Sequence, residues 1–190
     1  MKISKEDQRQ LILSKALEYM RQGVYEQMPI RDFCASVGIT TGIFYRNFAS
    51  KESLYYLCSS YVLEERLQSI DILLAGLPIQ EQITRFALAM ISDILELGGL
   101  KALTNNDAPE AKAAYEKQHD MTLEKLTAIL RRGVESGEIR ESRLPLIIQG
   151  FYVLIRGISQ TFIWKGKDFD ILSVTEKLFR CMLPGLLQGE

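Results

Sequence analysis

Three features of this 190-residue chain predict an all-α fold. Apolar residues recur at three-to-four spacing in nearly every segment, glycine or glycine with proline punctuates those segments, and no stretch sustains the alternation of a strand. The predicted organisation is an N-terminal three-helix unit over residues 1–48 and a larger helical part over residues 49–190. No internal repeat or low-complexity tract interrupts it.

The first helix is expected over Lys5 to Gln22, with Ile12, Leu13, Ala16, Leu17 and Met20 on one side and Arg9, Lys15, Glu18 and Arg21 on the other. Gly23 stops it. A short second helix follows Met28-Pro29, with Pro29 suited to the first helical position and Ile30, Phe33, Cys34 and Val37 facing inward. Gly38 ends it and permits a sharp turn. Thr40 is placed to cap a third helix, whose Phe44 and Phe48 lie four apart on one face. Helix, glycine-containing turn and helix over about twenty residues is the helix-turn-helix pattern.

The larger part continues with a helix from Ser50 to about Ala75, whose apolar side is Leu54, Leu57, Tyr61, Leu67, Ile70, Leu73 and Leu74. Gly76-Leu77-Pro78 breaks it. The next helix, Ile79 to about Leu97, packs Ile83, Phe86, Met90, Ile94 and Leu97 and stops at Gly98-Gly99. The stretch from Thr104 to Pro109 reads as a loop, and Glu110 to about Ser136 as a further helix with Tyr115, Met121, Leu123, Leu126, Ile129, Leu130 and Val134. Two last helices are predicted, Leu144 to Lys165 and about Phe169 to Leu187, separated at Gly166. The first is apolar on most sides, so it must be covered on most sides. One domain wrapped around it would do so; a homodimer interface over about 144–187 is the preferred reading, with Gly150 and Gly157 allowing close approach of a helix.

Composition narrows the function classes. Hydrophobic content of 47% and charged content of 25% describe an ordinary globular protein, and a net charge of -1 supplies no global attraction to nucleic acid, so any such contact must come from a local patch. Cys34, Cys58 and Cys181 are far apart, and with His119 alone they make no zinc site; reduced thiols are expected and no cofactor is indicated. The start of the chain shows no signal-peptide pattern, and no apolar run approaches the ~20 residues of a membrane span. A cytoplasmic location with no membrane partner is therefore expected.

The outward chemistry of the third helix is the informative feature. Thr40, Thr41, Gly42, Tyr45, Arg46 and Asn47 offer hydroxyls, a phenol, a guanidinium, an amide and one missing side chain, material suited to phosphate oxygens and base edges. Each also has a plain reading: the threonines as a cap, Tyr45 as a half-buried aromatic, Gly42 as a packing glycine costing up to roughly 1 kcal/mol in a helix. Lys51 stands at the start of the next helix, where the dipole disfavours a cation; a phosphate would explain it, and a solvated lysine is the plain alternative. Glu116-Lys117-Gln118-His119 matches half of a di-iron signature, but no second histidine exists. No hydrolase or phosphate-loop motif appears, so an enzyme is not supported.

Gly23, Ile30 to Cys34, Val37 to Gly42, Phe44 to Phe48 and Ser50 to Leu54 resemble the N-terminal signature of TetR-family regulators. The resemblance covers roughly Leu11 to Leu57. The chain departs from the family pattern at Pro29, where a capping threonine or serine is usual, in a turn before Ile30 that is one residue longer, and at Arg46-Asn47, which replaces a histidine and an aromatic. The resemblance implies Arg31, Thr40, Thr41, Gly42, Tyr45, Arg46, Asn47 and Lys51 as the DNA-contacting set, and a dimer formed through the last two helices. A ligand-responsive regulator follows, a repressor on double-stranded palindromic operator DNA that a small, largely apolar effector releases. An activator or a co-repressor-dependent regulator of the same fold, and a helical-bundle enzyme, are the alternatives. The effector site is expected at Phe86, Met90, Tyr115, Met121, Tyr152 and Phe162, with Arg156 reaching in from a polar stripe that includes Gln149 and Gln160; a solvent-facing strip is the plain reading of that stripe.

Overall fold

The computed structural model describes residues 4–96 and 109–188. Leu97 and the expected loop from Thr104 lie outside the described residues, and Ile94 and Tyr115 outside the described side chains. Eight α-helices and no strand occur among the described residues: α1 Lys5–Arg21, α2 Ile30–Val37, α3 Thr41–Asn47, α4 Lys51–Leu74, α5 Ile79–Glu96, α6 Pro109–Glu135, α7 Leu144–Lys165 and α8 Ile171–Gln188. Single 3-10 turns, Glu141–Arg143 and Gly166–Asp168, precede α7 and α8.

Local chemistry sets the ends of the first three helices. Ser4 caps α1 by accepting from the Asp7 amide at 3.0 Å, while its own amide donates to Asp7 Oδ2 at 3.3 Å. Pro29 stands at the N-cap of α2, one residue before the first helical position predicted for it, and contributes no side-chain cap. Its extended ψ of 145° is what an N-cap requires, and its fixed φ satisfies either position. Gly38 closes α2 in the left-handed conformation at φ 75°, and the Ile39 amide reaches back to Cys34 O at 2.9 Å.

The chain divides into two compact units, Met1–Val62 with Ile94–Lys117, and Leu63–Asp93 with Gln118–Glu190. The first extends beyond the expected boundary at residue 48, because Leu54, Tyr55, Cys58 and Val62 of α4 belong to one core with Ile12, Ala16, Met20, Tyr25, Phe33, Phe44 and Phe48. The division therefore falls inside α4. Burial pushes the Cys58 thiol up to about 12 and raises that of Cys34, so both behave as core hydrophobes; Cys181, on α8, is exposed.

In the second unit Ile70, Leu74, Ile83, Phe86, Leu126, Ile129, Ile147, Phe151 and Phe179 are among the buried residues. Leu67, Ile70 and Leu74 are buried as expected, joined by Val62; Tyr61 and Leu73, expected on the packed side of α4, are exposed. Surface ion pairs join helices: Asp71 of α4 takes Lys125 and Arg132 of α6, and Glu81 of α5 takes Arg180 of α8 at 2.9 Å. Pro184 sits inside α8 and cannot donate to the carbonyl four residues back. That carbonyl, Arg180 O, accepts from Gln80 Nε2 at 3.5 Å. Contrary to the expectation that no apolar run approaches a membrane span, residues Glu141–Lys165 are long and apolar enough by length and composition; Gln149 and Arg156 interrupt the run without lowering the mean hydropathy below 1.4.

Gly133 of α6 marks the closest approach in this unit. A Cβ there would stand 2.7 Å from both Ile79 Cγ1 and Ile139 Cδ1. Gly133→Ala is expected to destabilise the protein by about 1–3 kcal/mol through overpacking, despite the better helix propensity of alanine. Chemical denaturation of the two proteins measures this; an unchanged or raised midpoint rejects the close contact.

Candidate nucleic-acid interface

The seven residues of α3 present two chemistries. Phe44 is fully buried, edge-on to Phe33 at 6.1 Å between centroids, and lies 5.7 Å from Phe48. Phe33 in turn meets Tyr25 edge-on at 5.5 Å. On the other side Thr40, Gly42, Tyr45 and Arg46 are exposed, and Thr41 and Asn47 are half-buried. Tyr45 is 55% exposed, with its ring resting edge-on against Phe44. Thr40 Oγ1 accepts from the Ile43 amide at 3.3 Å, so its capping role is present. Arg31, on the first turn of α2, is exposed.

Gly42 is not required by packing. A Cβ there would meet only Thr40 Oγ1, at an ordinary 3.8 Å, and the residue has no positive φ. A helical glycine with open space outside it carries a conformational cost that nothing within the chain explains.

Two candidates are more engaged than the sequence suggested. The Lys51 ammonium donates to Glu26 O at 2.9 Å and Met28 O at 2.8 Å, and lies 4.9 Å above the Tyr25 ring. Tyr25 returns the bond, its hydroxyl donating to Lys51 O at 3.0 Å. Burial holds the Lys51 pKa below its ordinary value, with Glu52 and Glu26 opposing that shift. The carbonyls answer the unfavourable place of a cation at the start of α4 without any phosphate, and one of the three ammonium donors is left for another acceptor. Asn47 donates from Nδ2 to Ile43 O at 2.9 Å, within its own helix.

The residues expected around an effector divide differently. Phe86 and Met90 are buried in the second unit's core, where Phe86 stacks on Phe151 at 5.6 Å and Phe151 meets Phe179 at 5.5 Å. Tyr152 is half-buried; its ring lies 4.5 Å from that of His119, and its hydroxyl donates to His119 O at 3.2 Å. His119 is thus a packing residue, and among the described residues no group of three or more His, Cys, Asp or Glu is placed to hold a metal. Met121 and Phe162 are half-buried. Arg156 is exposed, with Gln149 and Gln160, as in the solvent-facing reading of the stripe rather than the inward one, because spacings of seven and four keep the three on the outer strip of α7.

Sequence reading missed Phe151, Phe179 and Ser159. The aromatic pair was visible only as part of two apolar helices. Ser159 is buried and its hydroxyl has no hydrogen-bond partner among the described residues. Elsewhere in the chain Thr84, Thr122, Thr161 and Thr175 each donate to the carbonyl four residues back, at 2.7–2.9 Å.

Residues 12–56 match the family model described as "Bacterial regulatory proteins, tetR family". No curated protein matches the chain. Among solved structures, the transcriptional regulator FadR from Bacillus subtilis in complex with stearoyl-CoA is similar with TM-score 0.70 and 18% identity, over 95% of this chain and 98% of that one. A Saccharomonospora viridis protein in complex with choline is similar with TM-score 0.70 and 16% identity, over 93% and 95% of the two chains. The TetR-family regulator PfmR from Thermus thermophilus is similar with TM-score 0.61 and 25% identity, over 93% and 99%. FadR and PfmR are transcriptional regulators. Residues 12–56 thus match the N-terminal model of the tetR family of bacterial regulatory proteins, and along nearly its whole length the chain is similar in fold to PfmR, a regulator of that family.

Proposed function

We propose that the chain is a cytoplasmic, homodimeric repressor that reads a palindromic operator through α3 and leaves it when a small, largely apolar effector binds the second unit. The observation that carries the DNA-binding part is the outer face of α3: exposed polar side chains around a glycine that nothing in the chain requires. Backbone approach to a phosphate or base edge accounts for that glycine. Thr40, Thr41, Tyr45, Arg46 and Arg31 are the contacts assigned to it, with the remaining Lys51 donor on a phosphate and Asn47 in a supporting place.

A second copy is supported by the exposed apolar residues of the last two helices, Leu146, Val153 and Trp164 on α7 and Leu172 and Met182 on α8. The effector reading is supported by the aromatic cluster and by Ser159, which shares a helix face with Tyr152 and Phe162 at spacings of seven and three. Ser159 replaces Arg156 as the polar anchor in this reading. The neighbours' ligands, stearoyl-CoA and choline, differ so much that likeness of fold selects no effector.

Gly42→Ala tests the interface. The free protein gains up to about 1 kcal/mol of stability, because alanine relieves the helix cost, while affinity for DNA falls. Thermal melting and fluorescence anisotropy at two salt concentrations measure both effects; equal affinity for the variant removes backbone approach from the interface. Lys51→Ala is expected to weaken DNA binding and to reduce the salt slope by about one phosphate. A slope equal to the parent's would leave Lys51 only its internal carbonyl bonds.

Gly157→Leu tests assembly. A Cβ there meets nothing within 4 Å among the described residues, so the position has open space outside it. Sedimentation is expected to show monomers that no longer hold two half-sites; an intact dimer would move the interface elsewhere.

A further inference from the structure

We propose that Arg9 of α1 is a positioning residue for the recognition helix, fixing the turn that carries Tyr45 and Arg46 by closing its C-terminal end. The inference rests on α3 being the DNA-reading element. Arg9 Nη1 donates to Asn47 O at 2.9 Å, and Asn47 is the last residue of α3. The guanidinium also lies over the Phe48 ring, its carbon 4.8 Å from the centroid. The pairing spans 38 positions of sequence, so it ties two elements that nothing local would hold together.

The need for such a device is visible at this helix end. The last four carbonyls of a helix have no intrahelical donor. Phe48, extended at φ -139° and ψ 135°, turns the chain away after giving its amide to Phe44 O at 3.0 Å. Neither a left-handed glycine nor a following helical turn covers the Asn47 carbonyl. Arg9 does, as a cation at the negative end of the helix and as a plane against an aromatic face, two interactions that fix orientation as well as distance. The Asn47 side chain reinforces the same turn from inside, through Ile43 O. With the Asn47 carbonyl released, the last turn of α3 frays, and Tyr45 and Arg46 lose a defined direction while remaining exposed. Sequence-selective binding then suffers more than general attraction to phosphate, since only the former depends on the angle at which side chains meet base edges.

The test compares the parent, Arg9→Met and Arg9→Lys. Methionine keeps an apolar stem for Phe48 but removes the donor and the charge; lysine returns both without the flat fork. The probes are a duplex of about 30 base pairs, long enough for two half-sites one helical turn apart, that the parent selects from a random library, and a random-sequence duplex of equal length. Circular dichroism at the assay temperature verifies that each protein is folded. Arg9→Met is expected to lose about tenfold in preference for the selected duplex, with an unchanged salt slope on both, and Arg9→Lys about threefold. Should the methionine variant not fold, the threefold loss in the lysine variant with an unchanged slope supports the role, and no loss overturns it. Equal weakening on both duplexes with a slope reduced by about one overturns it in favour of a direct phosphate contact. A preference equal to the parent's overturns it outright. A parent that selects no sequence at all overturns the DNA reading and the role of Arg9 with it.

Discussion

A helix of seven residues does not persist alone in water, because the cost of its first turn is not recovered over so short a length. Everything about α3 follows from that constraint. Phe44 is driven into the core between Phe33 and Phe48, Thr40 satisfies an amide at one end, and Arg9 satisfies a carbonyl at the other. The helix is therefore held from one side and by its two ends. Its remaining side needs no apolar residue, so polar groups occupy it at little cost to the fold.

The same economy explains the long side chains around α3. Arg9 and Lys51 each place a cation against an aromatic ring and on backbone carbonyls, Phe48 and Asn47 for one, Tyr25 with Glu26 and Met28 for the other. Tyr25 links these anchors, since it bonds to Lys51 O and meets Phe33, which meets Phe44. The longer turn before Ile30 is thereby fastened to the start of α4. The missing cap at Pro29 is tolerated because Lys51 and Tyr25 fix the entry to α2 by other bonds.

Periodicity made the helices legible: Leu144 to Lys165 has the predicted bounds, and the others differ by a residue or two at their ends. Glycine made the turns legible, as at Gly23 and Gly38, both at positive φ. The exposed set at Thr40, Gly42, Tyr45 and Arg46 was legible because its chemistry is wrong for a core. Arg9 was not, since its spacing on α1 assigns it to the polar face, and only the fold brings Asn47 to it. Tyr61 was misplaced, and the two readings of Arg156 stayed open, for a related reason: a residue's helical face can be read from sequence, but which face the rest of the protein covers cannot. Gln80, replacing the bond that Pro184 removes, lies a hundred positions away and leaves no local signal.

The last two helices pose the converse problem, an apolar surface with too little of the chain to cover it. Only 22% of the most apolar window of residues 141–165 is buried within the chain, and Val153 and Trp164 are 71% and 81% exposed. Lipid and a second copy of the chain are the two environments that would accept such a face. The polar residues favour the second, in keeping with the proposed dimer. Gln149, Arg156 and Gln160 are exposed on the same helix, and an arginine near the centre of a bilayer costs about 2.5–3.5 kcal/mol even on the lenient insertion scale. At a protein interface the same groups find a wet, hydrogen-bonding rim around an apolar centre, with arginine and tryptophan among the residues enriched there. Gly157 adds a second reason: a Cβ there would meet nothing within 4 Å among the described residues, and a bare helix surface suits a neighbouring helix more than lipid. On the proposed reading, the composition that resembles a membrane span is half of an interface that two copies complete.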